Sequence, residues 1–308
     1  MALAGIAYAC YGLFAHFDGG EKILWLDKWA YIGDLSSTFV NRNAYAAYAG
    51  LGMVCCLALF AKGFGRSVRG RGAMVQDRAE ALVVEALPYL GGAGILATAL
   101  VLTHSRAGLA ATAFGVTALM AGLAVSRMIT ARLAVGLLII VTVLGLVVLV
   151  ASGDGVFLRL ANAGITDGER GAIYALTLAG IGDAPWSGFG LGAFEPAFAL
   201  YRDASVTVPA IVDYAHGVHL EILFDLGLPA TLALYFALAW VVLACAAGLT
   251  RRRRDQVYPA VALASAILLG VHGLVDFSVQ MPAVAVTLAL LLGIGFAQSF
   301  STAAHRSS

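Results

Sequence analysis

The chain has 308 residues, of which 61% are hydrophobic and 12% are charged, and its formal net charge is +1. A soluble domain is about half apolar and about a quarter charged, so most of this chain must face lipid or other apolar helices. The near-neutral charge gives no support for nucleic-acid binding. The four cysteines lie in apolar stretches and form neither a disulfide framework nor a CxxC metal motif. Composition therefore places the chain among integral membrane proteins.

Eight apolar stretches are long enough, or nearly so, to cross a bilayer, which takes about 20 residues in a helix. The first opens the chain as MALAGIAYACYGLFA, which lacks the basic start of a signal peptide and is interpreted as a span. The other predicted spans are 44–61, 86–102, 108–125, 133–151, 220–249, 258–275 and 283–300. The sequence thus predicts an all-α fold, a polytopic helical bundle of about eight spans that forms one membrane domain over residues 1–308.

The basic residues predict how these spans are oriented. Most Lys and Arg side chains lie in 62–85, in 127–132, in 251–256 and in the C-terminal tail, which the positive-inside rule assigns to the cytoplasm. Both termini are then cytoplasmic. The segments predicted to face the periplasm are 18–43, 103–107, 152–215 and 272–282. Every residue with candidate chemistry falls in or beside these four segments.

The segment 152–215 is too polar and too often interrupted by Gly and Pro to be a span, so it is interpreted as a long periplasmic loop. Within it, ITDGERGAIYALTLAGIGDAP predicts a short helix that stops at Gly182 and Pro185 and carries Arg170 in its first turn. The glycines of GFGLG at 188–192 follow no predicted strand. They are expected to make a tight turn against a neighbouring segment.

Three arginines are candidates for binding an anion. Arg106 follows Thr-His-Ser at the outer end of a span, and it either binds an anionic group or snorkels as a helix-end anchor. Arg170 and Arg159 lie in the long loop. Their planar guanidinium groups suit a diphosphate, whereas either arginine considered alone is interpreted first as a solvated loop charge.

The histidines also allow alternative interpretations. His216 stands where the long loop enters a span, and it is either a base for a sugar hydroxyl or a hydrogen-bonded interfacial residue. With His219 it has i, i+3 spacing that could hold a metal, without an evident third ligand. Asp225 would lie on the opposite helix face and is expected to be structural. His272 and Asp276, four apart on a predicted helix face, either handle a proton or lock that helix end.

Five segments together resemble the O-antigen ligase family, which includes lipopolysaccharide O-antigen ligases, Wzy-type polymerases and bacterial protein O-oligosaccharyltransferases. Their order and spacing around one long outer loop are specific to that family, and the resemblance covers most of 37–282. The segments are STFVNRNAYAAYAGLGM at 37–53, THSRAG at 103–108, ERGAIYALTLAGIGDAPWSGFGLGAF at 169–194, AHGVHLEILFDLGLPA at 215–230 and HGLVDFSVQMP at 272–282.

The resemblance implies an inverting, metal-independent glycosyltransferase that needs no cofactor and uses an undecaprenyl-diphosphate-linked glycan as donor. It implies that Arg106 and Arg170 bind the diphosphate and that His216 assists the acceptor hydroxyl. The residues expected to contact substrate are Arg159, Asn41, Asn43, His272 and Asp276. The family commonly has Asn or Ser where this chain has Gly217, and its members usually have more than eight spans, as if this chain were shortened at its N-terminus.

The acceptor is left open between lipid A core, a further glycan repeat and a protein side chain. Two other classes of protein are also open. A lipid or polysaccharide transporter would carry ionisable groups inside its spans, where this chain has few. A non-catalytic membrane protein that binds polyprenyl-linked glycans would keep the arginines and tolerate the loss of His216.

Overall fold

The computed structural model describes residues 1–69, 75–130, 132, 134–136, 138–139, 167–207, 211–252 and 254–300. Helices dominate these residues, and their bounds follow the apolar stretches of the sequence. The helices are α1 Ala2–Phe17, α2 Arg42–Arg69, α3 Val75–Val83, α4 Leu87–Leu102, α5 Arg106–Val125, α6 Asp167–Asp183, α7 Phe194–Phe198, α8 Val218–Arg251, α9 Val257–His272 and α10 Pro282–Gln298. A 3-10 turn, Ser278–Gln280, precedes α10, and two short strands, β1 Lys22–Ile23 and β2 Leu26–Asp27, pair antiparallel.

The predicted all-α class is confirmed for the described residues. Three of their helices are long and apolar enough to cross a membrane, and four more are apolar but shorter. The long ones are Arg42–Val68, Arg106–Val125 and Val218–Arg251, and the shorter ones are Ala2–Phe17, Leu87–Leu102, Val257–His272 and Pro282–Gln298. They coincide with seven of the predicted apolar stretches. The stretch at 133–151 falls largely outside the described residues, so the full number of spans stays a prediction.

Helix α2 lies at the centre of the bundle, where small residues let its neighbours approach closely. A Cβ atom on Gly50 would lie 2.4 Å from the Thr112 hydroxyl of α5, and one on Gly115 of α5 would lie 2.9 Å from Leu268 of α9. Membrane helices gain van der Waals contact when such residues face one another. The packing of α2, α5 and α9 therefore fixes where the ends of these helices lie relative to one another.

Helix α8 is not one straight rod. Gly227 has φ 69° and ψ 173° inside it, and Pro229 follows. A straight helix would separate residues 219 and 235 by about 24 Å along its axis, whereas the rings of His219 and Tyr235 have centroids 5.7 Å apart. The chain therefore bends back sharply at Gly227. The apolar stretch predicted at 220–249 is therefore helical but interrupted at this bend.

The glycine-rich turn predicted at 188–192 is confirmed, and it packs against this bend. Gly188 has φ 61°, and a Cβ atom there would lie 2.2 Å from the Asp225 carbonyl oxygen. The Gly190 amide donates to that same carbonyl over 2.8 Å, and the Leu228 amide donates to the Pro185 carbonyl over 2.7 Å. The backbone groups freed by the broken helix are thus satisfied by the turn.

Segments that the charge pattern places on one side do contact one another. At one end of the bundle the Leu35 amide donates to the Leu102 carbonyl and the Val218 amide to the Gly273 carbonyl, each over 2.9 Å. At the opposite end Arg66 pairs with Glu85 over 2.8 Å. The first end holds the segments predicted to face outward. Which end faces the periplasm stays a prediction.

Candidate functional site

A charged cluster at the first end is built from Tyr31, Asp34, Arg42 and His104. Arg42, the first residue of α2, donates from Nη1 to Asp34 Oδ2 over 2.6 Å, and the other carboxylate oxygen lies 2.7 Å from His104 Nδ1. The Arg42 guanidinium lies 5.5 Å from the centre of the Tyr31 ring. Burial raises the pKa of Asp34, but the hydrogen bond with His104 and the charge of Arg42 outweigh it and hold that pKa below its usual value. This cluster ties the loop before α2 to the turn before α5.

The two predicted asparagines, Asn41 and Asn43, make different hydrogen bonds at this end of the bundle. The Asn41 side-chain oxygen accepts from the amides of Asn43 and Ala44 over 2.7 and 3.2 Å, so Asn41 caps α2. Asn43 donates from Nδ2 to Asp276 Oδ2 over 2.7 Å. Asp276 is 1% exposed, and its other oxygen accepts from the Ser278 amide over 2.8 Å. Asn43 therefore orients a buried carboxylate, and Asn41 fixes the helix that carries Asn43.

The shared helix face predicted for His272 and Asp276 is wrong, because α9 ends at His272 and Asp276 lies in the turn beyond it. Both side chains are 1% exposed. Asp276 is bonded to Asn43 and Ser278 instead of the imidazole. Within the described ranges neither ring nitrogen of His272 has a hydrogen-bond partner. A His272–Asp276 hydrogen bond therefore does not lock this helix end.

The helix predicted around Arg170 is present as α6, and it brings Arg170 to His216. Tyr174 lies one turn after Arg170 on the same face, and its hydroxyl donates to the His216 carbonyl over 2.9 Å. That bond holds His216 in a left-handed conformation with φ 54°. The His216 ring meets the Phe277 ring edge-on with centroids 5.6 Å apart. Nε of Arg170 is buried and has no hydrogen-bond partner in the part of the chain that the structure describes.

The electrostatics keep His216 neutral. Burial lowers its pKa below the ordinary 6.5, the Arg170 charge lowers it further, and Asp276 and Asp213 only partly oppose them. Near pH 7 this imidazole is therefore a base. Tyr31 stands in the same field: burial and Asp276 raise the pKa of its hydroxyl, while Arg42 and Arg170 lower it, and the net pKa is raised. The Tyr31 hydroxyl thus stays protonated and able to donate a hydrogen bond.

Two acidic residues of α8 hold the surroundings of His216 without touching its ring. Glu221 is 6% exposed and accepts from the Ala215 amide over 2.7 Å and from Gln280 Nε2 over 2.8 Å. It therefore fixes the residue before His216 to the turn before α10. Asp225 accepts from the Gly192 amide over 2.7 Å and so ties α8 to the glycine-rich turn.

Arg106, Arg159 and His219 are the other residues that the sequence singled out. Arg106 is exposed at the first position of α5, directly after Ser105, whose hydroxyl caps the helix by accepting from Gly108 over 3.1 Å. Arg159 lies outside the described residues. His219 uses one ring nitrogen on the Gly270 carbonyl at 2.9 Å and the other on the Tyr235 hydroxyl. Within the described residues no three His, Cys, Asp or Glu side chains gather as a metal site.

Sequence reasoning missed Tyr31, Asp34, Arg42, His104 and Tyr174. Two of them carried a signal: His104 belongs to THSRAG, and Tyr174 follows Arg170 at the i, i+4 spacing that puts both on one helix face. Tyr31 and Asp34 gave no such signal, because only the tertiary fold brings the loop before α2 to the turn before α5.

Fold and site define a polytopic helical membrane protein with arginine, histidine and buried carboxylate groups gathered at one end of the bundle. Residues 91–236 match the model of the O-antigen ligase family, which supports the resemblance predicted from the sequence. The matched segment includes Arg106, Arg170 and His216, whereas Asn43 and Asp276 are brought to it from outside. No curated protein matches the chain significantly. Family and apolar helices together indicate a membrane enzyme of ligase or polymerase type, in polysaccharide biosynthesis at the bacterial inner membrane.

Proposed function

We propose that the protein transfers a glycan from an undecaprenyl-diphosphate carrier to an acceptor hydroxyl, with inversion at the anomeric carbon and without a metal ion. The observation that carries this proposal is the pairing of Arg170 and His216. The Arg170 guanidinium, whose buried Nε has no hydrogen-bond partner among the described residues, acts electrostatically on an imidazole that is neutral near pH 7. The guanidinium of such a pair can bind an anion, and the neutral imidazole can accept a proton from a donor.

The arginines would bind the leaving group. When the bond between the anomeric carbon and the phosphate oxygen breaks, negative charge builds on the diphosphate. A fixed guanidinium stabilises that charge more in the transition state than in the ground state, so it accelerates departure. We assign this role to Arg170, which lies in α6, and we assign Arg106 and Arg159 to the same diphosphate. These charges make a divalent cation unnecessary.

His216 would act as the general base. Its neutral imidazole accepts the proton of the acceptor hydroxyl while the oxygen attacks the anomeric carbon on the side opposite the diphosphate. One C–O bond forms as the other breaks, which inverts the configuration, and the proton held by His216 is then released to water. The Tyr174 hydroxyl and the Glu221 carboxylate hold the backbone on either side of that base.

The remaining polar groups at this end would bind the sugar. Asn43 and Asp276 form a preassembled pair, and the Tyr31 hydroxyl lies in the field of Asp276 and Arg170. Hydroxyl groups of a glycan bond readily to amide, carboxylate and phenol groups. We assign Asn41 and His272 to the edge of the same region, since neither ring nitrogen of His272 has a hydrogen-bond partner among the residues that the structure describes.

This mechanism requires an outward-facing site, because the lipid of the donor would lie in the outer leaflet. We therefore propose one domain over 1–308 with eight spans, both termini in the cytoplasm and 152–215 as a periplasmic loop. The Arg251–Arg254 run supports that orientation under the positive-inside rule. Lipid A core, another glycan and a protein side chain are the candidate acceptors.

The test uses purified protein in bilayers with an undecaprenyl-diphosphate oligosaccharide, candidate acceptors and a metal chelator. We expect wild type to transfer the glycan, to give an inverted linkage by NMR, and to lose transfer on His216→Ala while the variant still inserts and binds donor. Transfer by His216→Ala at the wild-type rate would refute the assignment of His216 as the general base. Donor binding without any transfer by wild type would support the non-catalytic interpretation instead.

A further inference from the structure

The β1–β2 hairpin presents apolar side chains where a hairpin in water would present polar ones. The strands pair Lys22 with Asp27 and Ile23 with Leu26, which leaves Leu24 and Trp25 as the two-residue turn. Trp25 is 81% exposed and Leu24 is 48% exposed. Hairpin turns normally carry Gly, Asn or Asp at these positions.

The backbone of this turn is also unfavourable for its sequence. Leu24 has φ 57°, the left-handed region that glycine occupies at the first central position of such turns. A leucine there costs conformational energy that a glycine would not. Contact of the exposed Leu24 side chain with an apolar surrounding would offset part of this cost, whereas water would not.

The rest of the hairpin shows where this contact lies. Its inward residue, Ile23, is 6% exposed, and the Leu24 amide donates to the Tyr11 hydroxyl of α1 over 2.7 Å. The hairpin is therefore held against the outer part of α1. The end of that helix exposes Phe14 by 69% and Phe17 by 75%, and Trp29 beside the hairpin is 65% exposed.

We infer that the hairpin is an interfacial anchor that inserts Leu24 and Trp25 into the bilayer at the boundary between headgroups and acyl chains. Only residues 18–21 separate the exposed apolar end of α1 from the hairpin, so lipid around that end of α1 would also reach the turn. Tryptophan favours that boundary because its ring is apolar while its N–H needs a polar partner. The inference concerns membrane contact alone and stands whether or not the chain transfers glycans.

The anchor also bears on the Asp34 cluster. Lys28, directly after β2, donates to the Asp34 carbonyl, and the Gly33 amide donates to Glu21 at the start of the hairpin over 3.0 Å. A hairpin fixed in the interface therefore sets the height of Tyr31 and Asp34 above the bilayer core.

The experiment uses the four tryptophans of the full chain, Trp25, Trp29, Trp186 and Trp240. A chain with Trp29→Phe, Trp186→Phe and Trp240→Phe is placed in bilayers whose acyl chains carry bromine either near the headgroup or near the chain end. We expect Trp25 emission to be lost mainly to the shallow bromines. A matched chain that keeps only Trp240, 71% exposed on α8, should be quenched by the deep bromines as well.

The outcomes distinguish whether bilayer, water or protein surrounds the Leu24–Trp25 turn. Quenching of Trp25 by iodide in water but not by the bromines would overturn the inference. Quenching by neither reagent would also overturn it, because a protein surface would then cover Trp25. Leu24→Asp in the Trp25-only chain gives a second test, since Asp accepts the left-handed backbone better than Leu. We expect its bromine quenching to fall and its emission to shift to longer wavelength; unchanged emission would contradict membrane insertion.

Discussion

The two ends of the bundle contain similar ion pairs in different environments. At the end opposite the site, Arg66 and Glu85 are 62% and 45% exposed. In the Asp34 cluster, Arg42 and Asp34 are 22% and 13% exposed, and His104 adds a second partner. An exposed pair contributes about 0–1 kcal/mol, whereas partly buried charges must first be desolvated. The partly buried charges of the Asp34 cluster therefore indicate function at that end, and the exposed pair mainly closes a helix end.

The largest expected effect compares Arg170 with Arg66. Arg170→Ala should lower the rate of glycan transfer by about 10²-fold or more, as removal of one preorganised transition-state contact does, because the diphosphate loses its guanidinium. Arg170→Lys should also be impaired, since an ammonium group cannot make the planar two-point contact. Arg66→Ala should transfer at the wild-type rate in the same proteoliposomes. Equal transfer rates for Arg170→Ala and Arg66→Ala would show that the two ends of the bundle do not differ in their contribution to transfer.

The next comparison concerns stability. Asp34→Asn should lower the unfolding free energy by about 2 kcal/mol, because Arg42 and His104 lose a shared, partly buried carboxylate. Glu85→Gln should cost less than about 1 kcal/mol, since its partner Arg66 stays in water. Thermal unfolding of both variants in one detergent measures the difference. A loss as large for Glu85→Gln as for Asp34→Asn would show that burial does not distinguish the two pairs.

A smaller effect should come from the bond that holds the His216 backbone. Tyr174→Phe removes the hydroxyl that donates to the His216 carbonyl, which we expect to cost about 1 kcal/mol and so to lower transfer about fivefold. Tyr201→Phe is the matched control, because the Tyr201 hydroxyl donates to Asp183 instead. Rates with saturating donor and acceptor measure the effect. Tyr174→Phe at the wild-type rate would mean that the backbone of His216 is held without this bond.

Much of the fold could be predicted from the sequence because the bilayer requires long apolar runs, and the runs at 86–102 and 108–125 end almost where α4 and α5 end. The bend at Gly227 was missed, although Gly-Leu-Pro marks a break, because the apolar run continues through it. Apolar length alone does not reveal that a helix turns back on itself.

The site was predicted unevenly for a related reason. Arg170 and His216 stood out because charged and titratable residues are rare near apolar runs. Asp276 was placed on the wrong element, since α9 stops at His272 and the Gly273 carbonyl there accepts from Val218. The partners Asn43 and Asp276 are distant in sequence, and no local pattern encodes their 2.7 Å bond.

The smallest expected effect tests the electrostatics around His216 through Asp213, a residue that we assign neither to catalysis nor to substrate binding. The pKa of His216 lies below 6.5, so we expect transfer to stay constant as pH falls toward that value and to decline only below it, when the imidazole gains a proton. Asp213 raises that pKa, and Asp213→Asn should therefore move the acidic limb to still lower pH by a fraction of a unit. Asp203→Asn is the control, because the Asp203 carboxylate bonds to Ser205. A limb that moves toward higher pH in Asp213→Asn would mean that the titrating group is not His216.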